Sequence, residues 1–129
     1  ASNLDYSEMD IYFSKQVNGI FESAQKASIK IDTPIEKCTP YISPTEDYLI
    51  FASVGEELDL IVTYKDDLGQ WTNTKKLNEK INDKGQGNPY VTPDDKYLFF
   101  TAVDSISGIW KIKWVNIETE LKQTNANIN

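Results

Sequence analysis

One segment of the chain is repeated after 49 residues. The sequence PYISPTEDYLIF at Pro40–Phe51 returns as PYVTPDDKYLFF at Pro89–Phe100. A second pattern follows the same spacing, at Asp10–Ser14, Asp59–Thr63 and Gly108–Ile112. A fixed period of this length is typical of arrays in which one supersecondary unit recurs and buries its faces against its neighbours. The repeat therefore limits the architecture more than any other feature of the chain.

Each repeat predicts four short β-strands. Runs rich in β-branched and aromatic residues alternate with turn clusters, whereas apolar residues at helical spacing are scarce. In the middle repeat we expect strands at about 41–43, 48–53, 59–65 and 71–77. Tyr48–Phe51 and Tyr97–Phe100 are apolar on both alternating faces, which is typical of a strand that is covered on both sides. The sequence predicts an all-β protein of four-stranded antiparallel sheets.

The repeated stretch resembles the blade repeat of TolB-type, WD-like β-propellers. In that family a Ser-Pro-Asp-Gly turn joins the first two strands, and an Asp-Ile-Tyr-like strand follows. Here Pro40–Phe51 and Asp59–Thr63 carry the likeness, but Pro44–Asp47 and Pro93–Lys96 lack the turn glycine. The likeness covers about Asp10 to Lys122. It implies β-propeller-like four-stranded blades in a bacterial protein that is periplasmic or secreted.

On this basis residues 1–129 form a single domain of about two and a half blades. A partial blade is expected at about 1–32, with only its third and fourth strands, and blades at about 40–77 and 89–122. The last of these ends in a fourth strand near 118–122, and a polar tail follows at 123–129. Propellers usually need about four blades to close, so apolar faces would stay uncovered. Either identical chains assemble into a homo-oligomer, or the chain is part of a longer polypeptide.

Composition excludes several classes of function. The net charge is −7, and every basic residue is Lys, so the bidentate Arg contacts of nucleic-acid binders are missing. The absence of His removes Ser-His-Asp and Cys-His catalysis and His-based zinc sites. The lone cysteine, Cys38, excludes an internal disulfide. No apolar stretch is long enough for a membrane-spanning helix. We expect no catalytic residues, no cofactor, no nucleic-acid partner and no membrane span.

The candidate binding face lies on the loops at one end of the sheets. Loops that join second to third strands, and loops between repeats, are acidic, and two aromatic side chains near strand ends are expected to be exposed. The candidate residues are Glu8, Glu56, Glu57, Asp83, Asp104, Tyr64 and Trp114. Convergent carboxylates could supply some oxygen ligands to calcium, although the chain has no EF-hand pattern. A solvated acidic rim is the alternative. Asp10 and Asp59 recur at one place in the repeat, which favours a structural role for both.

These features favour a non-enzymatic binding or assembly module that recognises a protein or an extended ligand through the propeller loop face. One alternative is a carbohydrate-binding, lectin-like protein or a carbohydrate-active enzyme, since exposed Trp and Tyr rings can stack on sugars and acidic pairs can hydrolyse glycosides. Another is an inactive fragment of a larger propeller protein.

Overall fold

A computed structural model describes residues 9–31, 35–55, 57–82 and 85–121 of the chain. These residues form antiparallel β-sheets and one short helix, so the all-β prediction is confirmed. The strands are β1 (Tyr12–Phe13), β2 (Gln16–Val17), β3 (Ile20–Phe21), β4 (Gln25–Lys26), β5 (Glu36–Ile42), β6 (Tyr48–Val54), β7 (Leu58–Lys65), β8 (Trp71–Lys76), β9 (Gln86–Val91), β10 (Tyr97–Val103) and β11 (Trp110–Asn116). The helix, α1, comprises residues 118–121. Among the described residues no sheet closes on itself.

The middle repeat forms a four-stranded sheet in the order β5-β6-β7-β8. The second, third and fourth strands lie where the sequence predicts them, but β5 begins at Glu36, well before the expected position 41. A bulge between Cys38 and Tyr41 explains the difference. Pro40 falls inside this bulge, where no ladder hydrogen bond from its nitrogen is needed, so the strand continues past it.

The next repeat forms a three-stranded sheet in the order β11-β10-β9. The expected fourth strand near 118–122 is wrong, because residues 118–121 are helical. The Asn116 side-chain oxygen accepts the Glu118 amide N–H at 2.9 Å, as a helix cap does. Ile117 and Leu121, four residues apart, both lie in the main core cluster. In a helix, residues four apart lie one turn from each other on the same side, so both side chains reach one buried cluster. In a strand they would lie much farther apart along its length.

The two repeats agree in backbone detail as well as in sequence. Thr39 and Asn88, which are 49 residues apart, have positive φ of 45° and 49°, and a bulge interrupts the pairing of the first and second strands in both repeats. Glu46 and Asp95, equally spaced, both have φ of 58°. Both turns therefore place a residue other than glycine in the left-handed region, which ordinarily favours glycine.

In the third copy of the Asp59–Thr63 pattern, at Gly108–Ile112, the strand register is shifted relative to the middle repeat. Ser53 pairs with Asp59 across β6 and β7, whereas Ala102, 49 residues after Ser53, pairs with Lys111 across β10 and β11. The loop at 104–109 is three residues longer than the loop at 55–57. Trp110 lies 49 residues after the buried Ile61, but because of this shift it does not take the equivalent position, and it is exposed.

The N-terminal segment forms a hairpin, residues 11–27. β1 pairs with β4 and β2 with β3, and an irregular stretch separates the two ladders. Asn18 and Gly19, both with positive φ, form the two-residue turn. After the hairpin, Ile29 and Lys30 run beside the outer edge of β8, where the Lys30 N–H donates to the Trp71 carbonyl at 2.9 Å.

Both faces of the four-stranded sheet are covered, as the double-sided apolar pattern of β6 predicts. On its forward face, Tyr48, Ile50 and Leu60 share one buried cluster with Leu98 and Phe100 of the three-stranded sheet. We call the opposite side of each sheet its rear face; in the four-stranded sheet it carries Leu49. Leu98 follows Leu49 by 49 residues and is the equivalent rear-face residue of the three-stranded sheet. The three-stranded sheet therefore turns its rear face inward. The stack therefore packs a forward face on a rear face.

The rear face of the four-stranded sheet meets the hairpin. Leu49, Phe51 and Ile61 form a second buried cluster with Ile11 and Ala27. Ile11 lies 49 residues before Leu60, which belongs to the forward face of its own sheet, so the hairpin also presents a forward side here. Both internal junctions thus join a forward face to a rear face.

No helix among the described residues is long and apolar enough to cross a membrane.

Candidate binding surface

The forward face of the three-stranded sheet is exposed and apolar. Tyr90, Phe99 and Trp114 lie directly opposite one another on the three strands. The Tyr97 ring meets the Trp114 ring edge-on at 5.7 Å. Ile112 is 76% exposed and Trp114 62% exposed. We call Tyr90, Tyr97, Phe99, Ile112 and Trp114 the aromatic face. A contiguous apolar surface of this kind marks an interaction site more often than scattered apolar residues do.

The expectation that β10 is covered on both sides is therefore only half correct. Leu98 and Phe100 are buried beneath the four-stranded sheet, whereas Tyr97 and Phe99 on the opposite side are exposed. The difference arises from position in the stack. β6 has a neighbour on each side, and β10 is the last described layer.

In the four-stranded sheet the equivalent tyrosine is fully engaged. Tyr48 corresponds to Tyr97 in the repeat, and it is buried. Its hydroxyl donates to the carboxylate of Asp95, in a turn of the next sheet, at 2.6 Å. Burial raises the pKa of Tyr48 far above its usual range, and its bond to the Asp95 carboxylate adds to the effect. Tyr48 therefore joins the two sheets as a neutral hydrogen-bond donor.

Tyr41 repeats this arrangement near the same edge. It corresponds to Tyr90, and its hydroxyl donates to the main-chain carbonyl of Val91 at 3.0 Å. The Tyr90 ring meets the Tyr41 ring edge-on at 5.7 Å. Ile50, which corresponds to Phe99, is fully buried. The aromatic face is thus a second copy of a surface that, one layer earlier, packs on a β-sheet.

The acidic loop surface expected from the sequence is described only in part. Three of its residues lie outside the described ranges: Glu8, Glu56 and Asp83. Glu57 is exposed in the β6–β7 loop. Asp104 accepts hydrogen bonds from the Ser107 hydroxyl at 2.6 Å and from the Lys111 ammonium at 3.1 Å. These bonds lower the pKa of Asp104 to about 2. This carboxylate is therefore used within its own loop.

The prediction that Tyr64 is exposed is wrong. It lies in the buried cluster between the two sheets, with its ring 6.4 Å from that of Tyr48. Trp114 is exposed, as expected, but it lies on the side of the three-stranded sheet that faces away from the buried cluster containing Tyr64. The two aromatic residues therefore belong to different surfaces. Alternation along β7 decides this, because Tyr64 follows Leu60 and Val62 on the forward face.

Asp10 and Asp59 play the same structural part, as their recurrence predicts. Asp10 lies 2.6 Å from the ammonium of Lys26, and Asp59 lies 2.7 Å from that of Lys76. Asp10 also accepts a hydrogen bond from the buried Lys37 at 3.2 Å. Burial alone would raise the pKa of Asp10, but its bonds to these lysines and to a backbone N–H outweigh burial and lower the pKa. Each aspartate joins the start of one strand to the strand beside it.

A cleft of about 1250 Å³ lies on the rear side of the four-stranded sheet, next to the segment that follows the hairpin. Its wall mixes Ile31, Ile35 and Ile61 with the Lys76–Asp59 ion pair. Within the described ranges, no three Asp, Glu or Cys side chains are grouped as a metal site would require. The described residues therefore provide no support for the calcium site considered from the sequence.

The candidate binding residues predicted from the sequence include Trp114 but not the other four residues of the aromatic face: Tyr90, Tyr97, Phe99 and Ile112. The signal was present, since Tyr97 and Phe99 alternate on one side of β10. The register of β11, which places Ile112 and Trp114 beside them, could not be inferred because the preceding loop is longer.

Comparison of the chain with family models, with curated proteins and with solved structures finds no match in any of the three.

Proposed function

We propose that this chain is a non-enzymatic protein-binding and assembly module whose stacked sheets are blades of the propeller type, with the aromatic face as its binding surface. One observation carries the proposal. The aromatic face repeats, position by position, the forward face that already packs on a β-sheet within the chain. The proposed site is thus a sheet face, and the loop surface considered from the sequence takes second place.

The chemistry of the aromatic face suits a flat protein surface. Phe99, Ile112 and Trp114 supply apolar area at its centre, and aromatic side chains dominate the energetics of protein interfaces. Tyr90 and Tyr97 carry hydroxyls at the positions where Tyr41 and Tyr48 donate to a carbonyl and a carboxylate. A bound β-sheet with an acidic turn would satisfy both. The absence of His and the internal bonding of Asp104 are consistent with binding without catalysis.

Sugar binding is the second candidate, because Trp110 and Trp114 are both exposed on β11. A sugar ring stacks on the flat side of an indole and also needs polar groups for its hydroxyls. Around Trp114 the neighbours are Phe99 and Tyr97, with the Tyr97 ring at 80° to the indole. The apolar surroundings favour protein over carbohydrate.

In-cell photo-crosslinking tests the proposal. A benzophenone amino acid is placed at Ile112, on the aromatic face, or at Ile106, which is 95% exposed in the β10–β11 loop. In cells of the native source we expect a protein adduct from position 112 that disappears with Trp114→Lys, and none from position 106. Equal adducts at both positions, or an adduct insensitive to Trp114→Lys, would overturn the proposal. Glycan-array binding that depends on Trp114, without a protein adduct, would favour the sugar-binding alternative.

A further inference from the structure

We propose that the occupant of the aromatic face is a second copy of this chain, which docks the outer side of its N-terminal hairpin there in a head-to-tail arrangement. The inference rests on the proposed function, since it names the partner for the same surface. It follows from the order of the layers, from the side that each layer presents, and from what is exposed at the two ends of the stack.

The hairpin is itself a layer of the same repeat. Its Asp10–Lys26 ion pair has the same place as the Asp59–Lys76 ion pair of the four-stranded sheet. Ile11 is buried on its inner, forward side against the rear face of that sheet. The hairpin thus packs on its neighbour as the four-stranded sheet packs on the three-stranded sheet.

The outer side of the hairpin carries exposed apolar residues. Tyr12 is 60% exposed, although its equivalent in the repeat, Ile61, is buried beneath the hairpin. Ile20 and Phe21, neighbours that point to opposite sides near the turn, are also exposed. At Tyr12, therefore, the hairpin exposes on its outer side a rear position that is covered in the next layer.

The described stack leaves two complementary surfaces uncovered. Both internal junctions join a forward face to a rear face. Of the surfaces left over, the aromatic face is a forward face and the outer side of the hairpin is a rear face. A second copy can therefore place a rear side on a forward face, which is the order of sides at both internal junctions. Because the two surfaces differ, the contact is heterologous, and repetition yields either a closed ring or an open chain of protomers.

The charge of the chain gives this association a salt dependence. Each protomer has a net charge of −7, so copies repel one another at low ionic strength, while the contact itself is apolar. Added salt screens the repulsion over distances of about 10 Å at 0.1 M. Association should therefore strengthen as salt is added, which is opposite to the behaviour of a contact held by ion pairs.

Two one-sided variants test the arrangement by complementation. Trp114→Lys blocks the aromatic face, and Tyr12→Lys blocks the hairpin side. In sedimentation-velocity dilution series we expect the unmodified chain to form dimers and larger species. Each variant alone should be monomeric, with its dissociation constant raised by at least about tenfold, and an equimolar mixture of the two should form a 1:1 dimer and nothing larger. Ile106→Lys, in an exposed loop, is the matched control and should assemble as the unmodified chain does. Urea midpoints verify that each variant is folded.

The remaining outcomes separate this inference from the proposed function. If Tyr12→Lys still self-associates and Trp114→Lys does not, the aromatic faces pair with each other. The head-to-tail arrangement is then overturned, while the proposed function is supported. If the unmodified chain stays monomeric throughout, the second copy is overturned, and the crosslinks at position 112 decide the proposed function alone. If both variants assemble like the unmodified chain, the aromatic face is not the contact between copies and the head-to-tail arrangement is overturned, while the crosslinks at position 112 again decide the proposed function.

Discussion

Leu60 and Ile112 provide a matched pair of substitutions that measures what stacking contributes. Leu60 lies opposite Ala52 and Ile112 lies opposite Thr101, and these partners are 49 residues apart. The two aliphatic side chains therefore occupy the same place in equivalent sheets. Leu60 is fully buried by the next sheet, whereas Ile112 is 76% exposed.

The expected losses of stability differ several-fold. Leu60→Ala removes buried atoms from between two sheets that cannot close the gap, which costs about 2–5 kcal/mol. Complete burial of an Ile side chain is worth about 1.5–3 kcal/mol. With a quarter of its surface buried, Ile112→Ala should cost about 0.5 kcal/mol, without a cavity. At about 3–6 °C per kcal/mol for a chain of this size, the melting temperature should fall by about 6–30 °C in the first case and by about 2 °C in the second.

Urea unfolding followed by tryptophan fluorescence measures both losses, since the chain has three Trp residues. The comparison uses midpoints at constant m-value, at the lowest practical protein concentration. Similar losses for Leu60→Ala and Ile112→Ala would refute the reasoning, because they would mean that a single chain covers both faces. If a second copy covers the aromatic face, the loss for Ile112→Ala should grow as the protein concentration rises.

Three further predictions concern polar contacts and backbone strain. The pKa of Asp10 is held below 3.8 in the folded chain, so as the pH falls the unfolded state takes up its proton first, and stability should drop between about pH 5 and the lowered pKa. Urea midpoints for Asp10→Asn should be lower than those of the unmodified chain at neutral pH and should vary less across this pH window. An equal pH dependence for the two proteins would count against the assignment. Tyr48→Phe should cost about 1–3 kcal/mol through loss of its bond to a charged carboxylate. A double-mutant cycle with Asp95→Gly, which removes the acceptor, should show strong coupling; additive losses would mean that this bond contributes nothing. Glu46→Gly should raise thermal stability by up to about 1 kcal/mol because it relieves a left-handed backbone. Asp95→Gly should bring no gain because it also removes the hydrogen-bond partner of Tyr48. Calorimetry that shows equal effects for the two variants would contradict both assignments.

Local features of the sequence determined much of what one repeat looks like. β6, β7 and β8 lie where alternating apolar residues and turn residues predict them, because strand pairing in a meander depends mainly on neighbouring residues. The recurrence of Asp10 and Asp59 likewise predicted a structural role, since each carboxylate reaches a lysine on the strand beside it. The turn at Glu46 kept its left-handed conformation without glycine, so the repeat specifies the turn more strongly than a single residue does.

Contacts between layers decided what the sequence left open. Tyr64 lies on the side of β7 that the next sheet covers, and nothing within its own repeat distinguishes that side from an exposed one. The segment after β11 becomes a helix because Ile117 and Leu121 join a core cluster that is built from other layers. The longer loop before β11 shifts its register, and this shift places Ile112 and Trp114 on the aromatic face.

The sequence by itself determined that the chain is all-β, that its unit recurs after 49 residues, and that both sides of the second strand are apolar. Only the tertiary structure decided which of these apolar sides is exposed. The physical reason is that propensity and alternation act within one sheet, whereas burial depends on the neighbour that a sheet meets. β6 has two neighbours among the described layers, and β10 has one.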